Sequence, residues 1–162
     1  LPIYKAADGS HPLFTDFTYD NLGVPRNPEL GHNAHPAFLD LGLCARQGGD
    51  LAARTELCGA FKVPSLRNVA LRQALFHNGH FKNLTDALRF YVQRDTHPEK
   101  WYPRRADGSI AVFNDLPPAL HGNVNTAEVP YDRKPGDEPA LTEAEIQDVI
   151  AFLKTLTDGW KR

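Results

Sequence analysis

The chain has 162 residues, 41% of them hydrophobic and 23% charged, which suits one domain burying roughly 70% of the surface its unfolded form exposes. A formal net charge of -2 argues against nucleic acid and anionic membrane surfaces as partners. No apolar run approaches the ~20 residues of a membrane-spanning helix.

Residues 1–60 show little helical periodicity. They contain no Met, nor does the rest of the chain. Leu1-Pro-Ile-Tyr-Lys5 lacks the charged and apolar regions of a signal peptide. A chain processed or cut upstream is expected. Asn21-Leu-Gly23, Pro25-Arg-Asn-Pro28, Gly31-His-Asn33 and Gly48-Gly49 predict ordered loop with one or two helical turns. A long loop in a compact domain usually wraps something or carries function. Cys44 and Cys58 are the two cysteines. Their spacing excludes Cys-x-x-Cys redox or zinc chemistry. An even count and a Gly-rich connection suit a disulfide, with two unrelated buried thiols as the alternative. A bridge closing ~15 residues stabilises by roughly 3 kcal/mol in the entropic model. It also implies an oxidising compartment such as the periplasm.

From Pro64 the pattern changes. Pro64 suits a first helical position, and Leu66, Val69, Ala70 and Gln73 predict a short amphipathic helix. Phe76-His-Asn-Gly-His-Phe81 breaks it. Asn83 then caps a second helix, with Asp86 in its first turn. Leu84, Ala87, Leu88 and Tyr91 line one face of it. Residues 95–140 are rich in proline and read as extended loop, with a short strand at Ile110–Phe113. The last helix opens on a capping box, Thr142 with Glu145, and a hydrophobic staple, Leu141 with Ile146. Ile146, Val149, Ile150, Leu153 and Leu156 form its buried stripe, and Gly159 provides the stop. Three helices joined by such loops do not close a large core by themselves. A flat apolar group for the loops to pack on is expected.

Four segments carry a family resemblance, and they occur in family order. They are Pro12-Leu-Phe-Thr-Asp-Phe-Thr-Tyr-Asp-Asn-Leu-Gly-Val-Pro25, the Phe61-Lys-Val-Pro-Ser-Leu-Arg-Asn68 run on to His77-Asn-Gly-His-Phe81, the Asn83–Tyr91 helix, and Leu141–Thr157. Together they resemble the C-terminal haem domain of bacterial dihaem cytochrome c peroxidases and their MauG-type relatives. The resemblance implies an all-α, cytochrome c-like haem domain with long irregular loops, spanning residues 1–162 and incomplete at its N-terminus. It implies haem c and a periplasmic location. The Cys-x-x-Cys-His attachment motif is absent from these residues. Its expected place is upstream, in a preceding haem domain or a separate chain.

The resemblance also places candidate residues. Tyr91 falls at the second axial position of the haem, where peroxidases carry Met and MauG-type enzymes Tyr. With no Met available, a His/Met iron cannot be built from this chain alone. A phenolate favours ferric iron and lowers the reduction potential relative to Met. The alternative is a core tyrosine with its hydroxyl satisfied. Arg67 suits a haem propionate, or equally an internal carboxylate. His77 and His80 line the haem edge or bond a propionate, or are ordinary turn histidines. Lys62 and Pro64 supply backbone carbonyls at the family's calcium position, whose other ligands come from the upstream domain. His32 and His35 have no carboxylate or Cys neighbours to complete a metal site. Trp101 and Trp160 are packing residues, with relay of electron holes as the alternative. No nucleophilic triad or phosphate loop is present.

The function implied is peroxide reduction or MauG-type protein oxidation in a complete dihaem protein, with a small redox protein as donor or acceptor. The chain alone is expected to be inactive. Two alternatives are a non-enzymatic electron-transfer cytochrome domain and a haem-free structural or interaction domain.

Overall fold

The computed structural model describes residues 13–159. Two α-helices anchor it, α1 over Leu84–Gln93 and α2 over Glu143–Thr155. Short 3-10 turns punctuate the rest, at Gly31–Ala34, Gly42–Ala45, Thr55–Leu57, Val69–Leu71, Pro98–Lys100 and Pro118–Asn123. One antiparallel pair joins β1, Tyr19–Asp20, to β2, Phe61–Lys62, with Tyr19 opposite Lys62 and Asp20 opposite Phe61.

Both helices begin where side-chain chemistry dictates. The Asn83 side chain accepts from the Asp86 amide at 2.9 Å. Thr142 Oγ1 accepts from the Glu145 amide at 3.3 Å, and Glu145 Oε2 accepts from the Thr142 amide at 2.8 Å. Such caps satisfy amides that have no partner within the helix. The helices pack through Val92, Ile146 and Ile150, with Leu84, Leu88, Tyr91 and Leu141 around them. Arg89 clamps Glu143 across the pair at 2.7 Å. The larger core gathers Val24, Val69, Leu75, Phe81, Ala87, Phe90, Tyr102 and Leu153, so loops and both helices share it.

Two expectations change. The helix expected after Pro64 is only the 3-10 turn Val69–Leu71. The chain from Pro64 is instead drawn alongside residues 13–18, with the Leu66 amide on the Phe14 carbonyl at 3.2 Å and the Val63 amide on the Thr18 carbonyl at 2.9 Å. The strand expected at Ile110–Phe113 is a single bridge between Arg104 and Ile110. α2 ends at Thr155, before Gly159.

The loops are tied by buried polar side chains. Asp115, 6% exposed, accepts from Arg26 at 2.8 Å and from Asn78 at 3.1 Å. Asn78 also donates to the Pro25 carbonyl, and Asn27 donates to the Asn78 carbonyl, both at 2.9 Å. Tyr102 donates its hydroxyl to the Gly23 carbonyl at 2.6 Å. Gly23 has φ of 58°, and a Cβ there would collide with the Phe113 ring. The Sγ atoms of Cys44 and Cys58 stand 2.07 Å apart and tie the ends of the 45–57 loop.

Candidate functional site

Residues 90 and 91 of α1 divide the two sides of the helix. Phe90 is wholly buried (0% exposed), and Tyr91 lies half-buried at the edge of the α1–α2 contact. The Tyr91 ring has two aromatic walls. Phe76 is 5.3 Å away, centroid to centroid, and Tyr131 is 6.1 Å away. The Tyr91 hydroxyl makes no hydrogen bond among the described residues. Burial, with the Asp20 carboxylate adding to it, pushes this phenol up to about 12. It is therefore neutral at ordinary pH, and a metal at the oxygen is the kind of partner that removes such a proton.

Phe76 is set unusually. Its φ of 64° is the left-handed region, rare for a bulky side chain. The Leu75–Phe81 bridge and the Gly79 amide on the Phe76 carbonyl (3.3 Å) hold this turn. The ring is thereby brought against Tyr91, Phe81 at 5.3 Å and Phe90 at 5.6 Å. Backbone held in such a region persists only where its surroundings enforce it.

The two turn histidines do not reach Tyr91, whose ring partners among the described residues are Phe76 and Tyr131. His77 is exposed on its outer side, but its ring lies flat on Phe61 at 3.6 Å. That desolvation lowers its pKa, against Asp40 and Asp115, which act to raise it. His80 is also shifted down by burial, and its Nδ1 is buried without a partner. His80 lines a shallow open cleft of about 370 Å³ with Phe81, Lys82, Asn83, Asp86, Lys100 and Trp101. Tyr91 is not part of that cleft. Trp101 packs on Phe81 and Phe90, each at 5.8 Å.

Arg67 has the internal partner, Asp158, whose other oxygen accepts from Asn68 at 2.9 Å. Asn68 thus ties Asp158, beyond the end of α2, to the 64–68 turn. Lys62 and Pro64 lie in the extended run beside residues 13–18, and the Lys62 ammonium sits 5.7 Å from the Phe17 ring centroid. The Pro64 carbonyl accepts no hydrogen bond among the described residues. No cluster of three or more His, Cys, Asp or Glu able to hold a metal occurs among the described residues. Pro12 and Trp160 lie outside the described residues.

Two residues at this site escaped the sequence reading. Arg94 follows Tyr91 by one turn, and its side chain is 0% exposed. Tyr131, 5% exposed, arrives from the long Pro-rich loop. Arg94 had a local signal, since it lies three residues from Tyr91 on the same helix. Tyr131 had none.

The donor chemistry of Tyr91 suits a haem iron: its oxygen makes no hydrogen bond among the described residues, and its ring has two aromatic neighbours, Phe76 and Tyr131. Leu13, Phe17, Tyr19 and Leu71 are 45%, 49%, 48% and 58% exposed, so the loop segments leave large apolar side chains uncovered.

No family model matches the chain. It is 35% identical over 160 residues to the methylamine utilization protein MauG of Paracoccus denitrificans, a match covering 95% of this chain and 37% of that protein. Among solved structures, the diheme peroxidase BthA of Burkholderia thailandensis matches with a TM-score of 0.80 and 44% identity, over 92% of this chain and 35% of BthA. A Tyr-to-Met variant of BthA matches with a TM-score of 0.81 and 43% identity. The chain spans little more than a third of the length of each relative. With these similarities across nearly all of its residues, the chain belongs to the dihaem cytochrome c peroxidase/MauG family.

Proposed function

We propose that this chain is the all-α, cytochrome c-like haem domain, with long irregular loops, of a periplasmic dihaem peroxidase, with Tyr91 as an axial ligand of its iron. The single observation carrying this is the Tyr91 hydroxyl, half-buried and without a hydrogen-bond partner among the described residues, in a relative of MauG and of a diheme peroxidase. When bound, the haem supplies one-electron and peroxide chemistry that no side chain here provides. The chain's own contributions are four. Tyr91 gives up its proton and presents a hard anionic oxygen, which favours the ferric state and lowers the potential relative to Met. Phe76 and Tyr131 hold the ring. Leu13, Phe17 and Leu71 leave apolar surface exposed that a flat apolar group could cover. The Cys44–Cys58 link suits the oxidising periplasm.

Attachment through Cys-x-x-Cys-His falls to residues outside this chain, on an upstream domain or a separate polypeptide, and these residues alone are inactive. The Lys62 and Pro64 carbonyls are two ligands of a calcium site completed by that other part. The reaction is hydrogen peroxide reduction or oxidation of a protein substrate, with a small redox protein as electron donor or acceptor. The test is Tyr91→Phe in the complete haem-loaded protein. Its ferric spin state changes and its reduction potential rises. An unchanged absorption spectrum removes Tyr91 from the iron.

A further inference from the structure

We propose that Tyr131, clamped by the buried guanidinium of Arg94, is a positioning residue that fixes the direction of the Tyr91 ring. This rests on Tyr91 being the iron ligand. The Arg94 side chain is wholly enclosed, a rare state for arginine. Its donors are spent on the neighbouring Asp95 and on two separate segments. Nε donates to Asp95 Oδ2 at 2.9 Å, Nη1 to the Leu22 carbonyl at 3.1 Å, and Nη2 to the Asn125 carbonyl at 2.6 Å. Nη2 also lies 2.7 Å from Asp95 Oδ2. A planar fork held this way has no freedom left to rotate.

The guanidinium carbon is 4.4 Å from the Tyr131 ring centroid, well within cation–π range. The next ring outward is Tyr91, 6.1 Å from Tyr131 with 32° between the planes. Tyr131 makes no side-chain hydrogen bond among the described residues, so its hydroxyl does not place it. The cation behind it does. Tyr91 is then held on one side by a ring on a fixed cation and on the other by Phe76, which a left-handed backbone presents. A phenol oxygen sits at the far end of its side chain, so slack at the ring becomes a large displacement at the metal. Displacements near 1 Å at a reacting centre already cost about a hundredfold in rate.

The experiment compares Tyr131→Leu with Tyr131→Phe in the complete haem-loaded protein. It reads the phenolate-to-iron charge-transfer band, the ferric electron paramagnetic resonance signal and the reduction potential. The signal of the other haem reports that the protein is folded. Tyr131→Leu weakens or broadens the band and splits the ferric signal into more than one population. Tyr131→Phe keeps the ring on Arg94 and keeps both signatures. A native band and potential in Tyr131→Leu overturn the proposal. Equal loss in Tyr131→Phe also overturns it, because the hydroxyl would then be the agent. If Tyr131→Leu does not fold, Tyr131→Met fills the space with a flexible chain, and an intact signature there is equally fatal. Failure of the ligand reading itself appears separately, as an unchanged spectrum in Tyr91→Phe.

Discussion

The helix pair and the loop frame are built on opposite principles. α1 and α2 meet through apolar stripes, with Val92, Ile146 and Ile150 at the contact and polar groups only at the caps and rim. The loops of residues 21–35, 76–81 and 113–125 are joined mainly by buried Asn, Asp and Arg side chains that reach backbone carbonyls and one another. Apolar burial is non-directional and tolerates small shifts. A buried hydrogen bond does not, because an unpaired partner costs about 1–3 kcal/mol. The candidate ligand stands at the seam, carried by a helix and walled by rings from two loops. Elastic packing places its backbone and directional bonds place its surroundings.

The largest effect expected is at the residue both regions share. Phe90 is 0% exposed and touches Phe76, Phe81, Trp101 and Tyr102. Phe90→Ala is expected to lower stability by about 3–5 kcal/mol. Chemical denaturation measures it. A loss below about 1 kcal/mol would mean that the aromatic cluster collapses freely and does not bind the regions together.

Asp115→Ala tests the loop frame alone. It strips Arg26 and Asn78 of a common acceptor, although Arg26 keeps the Asn33 and His35 carbonyls, each at 3.1 Å. A loss of about 2–3 kcal/mol is expected. Hydrogen exchange should quicken first in residues 25–35 and 76–81, with α1 and α2 still protected. Equal acceleration in both helices would show one cooperative unit and abolish the distinction.

The same division explains what the sequence could and could not disclose. Helix starts are local: Asn83 with Asp86 and Thr142 with Glu145 are readable within four residues, and both caps form. The stripe Ile146, Ile150, Leu153 is equally local. The region after Pro64 carried a helical spacing, but long-range pairing with residues 13–18 overrode it, which no local window contains. Tyr91 was visible through its place in a family pattern. Its setting was not, since Phe76 reaches it through a left-handed turn and Tyr131 lies forty residues on in sequence. Arg94 drew no reading from the sequence, and partners distant along the chain, Leu22, Asn125 and Tyr131, accompany its burial.

The smallest effect, and the one that sharpens the comparison most, is alkaline titration. Tyr91 at the helix pair and Tyr102 in the loop frame are both shifted upward by burial, Tyr91 to about 12. The folded state holds these protons more tightly than the unfolded chain does. Their contribution is therefore complete below pH 10 and is lost as pH rises through each folded value. Denaturant melts at rising pH measure it, with Tyr91→Phe and Tyr102→Phe separating the regions. Tyr102 also gives up its bond to the Gly23 carbonyl when it ionises, so its step should loosen the loop frame. If Tyr91 holds a haem iron, its phenol has already released that proton to solvent. In the haem-loaded protein the Tyr91 step should therefore vanish while the Tyr102 step stays. Persistence of both would leave the Tyr91 phenol protonated and away from any iron.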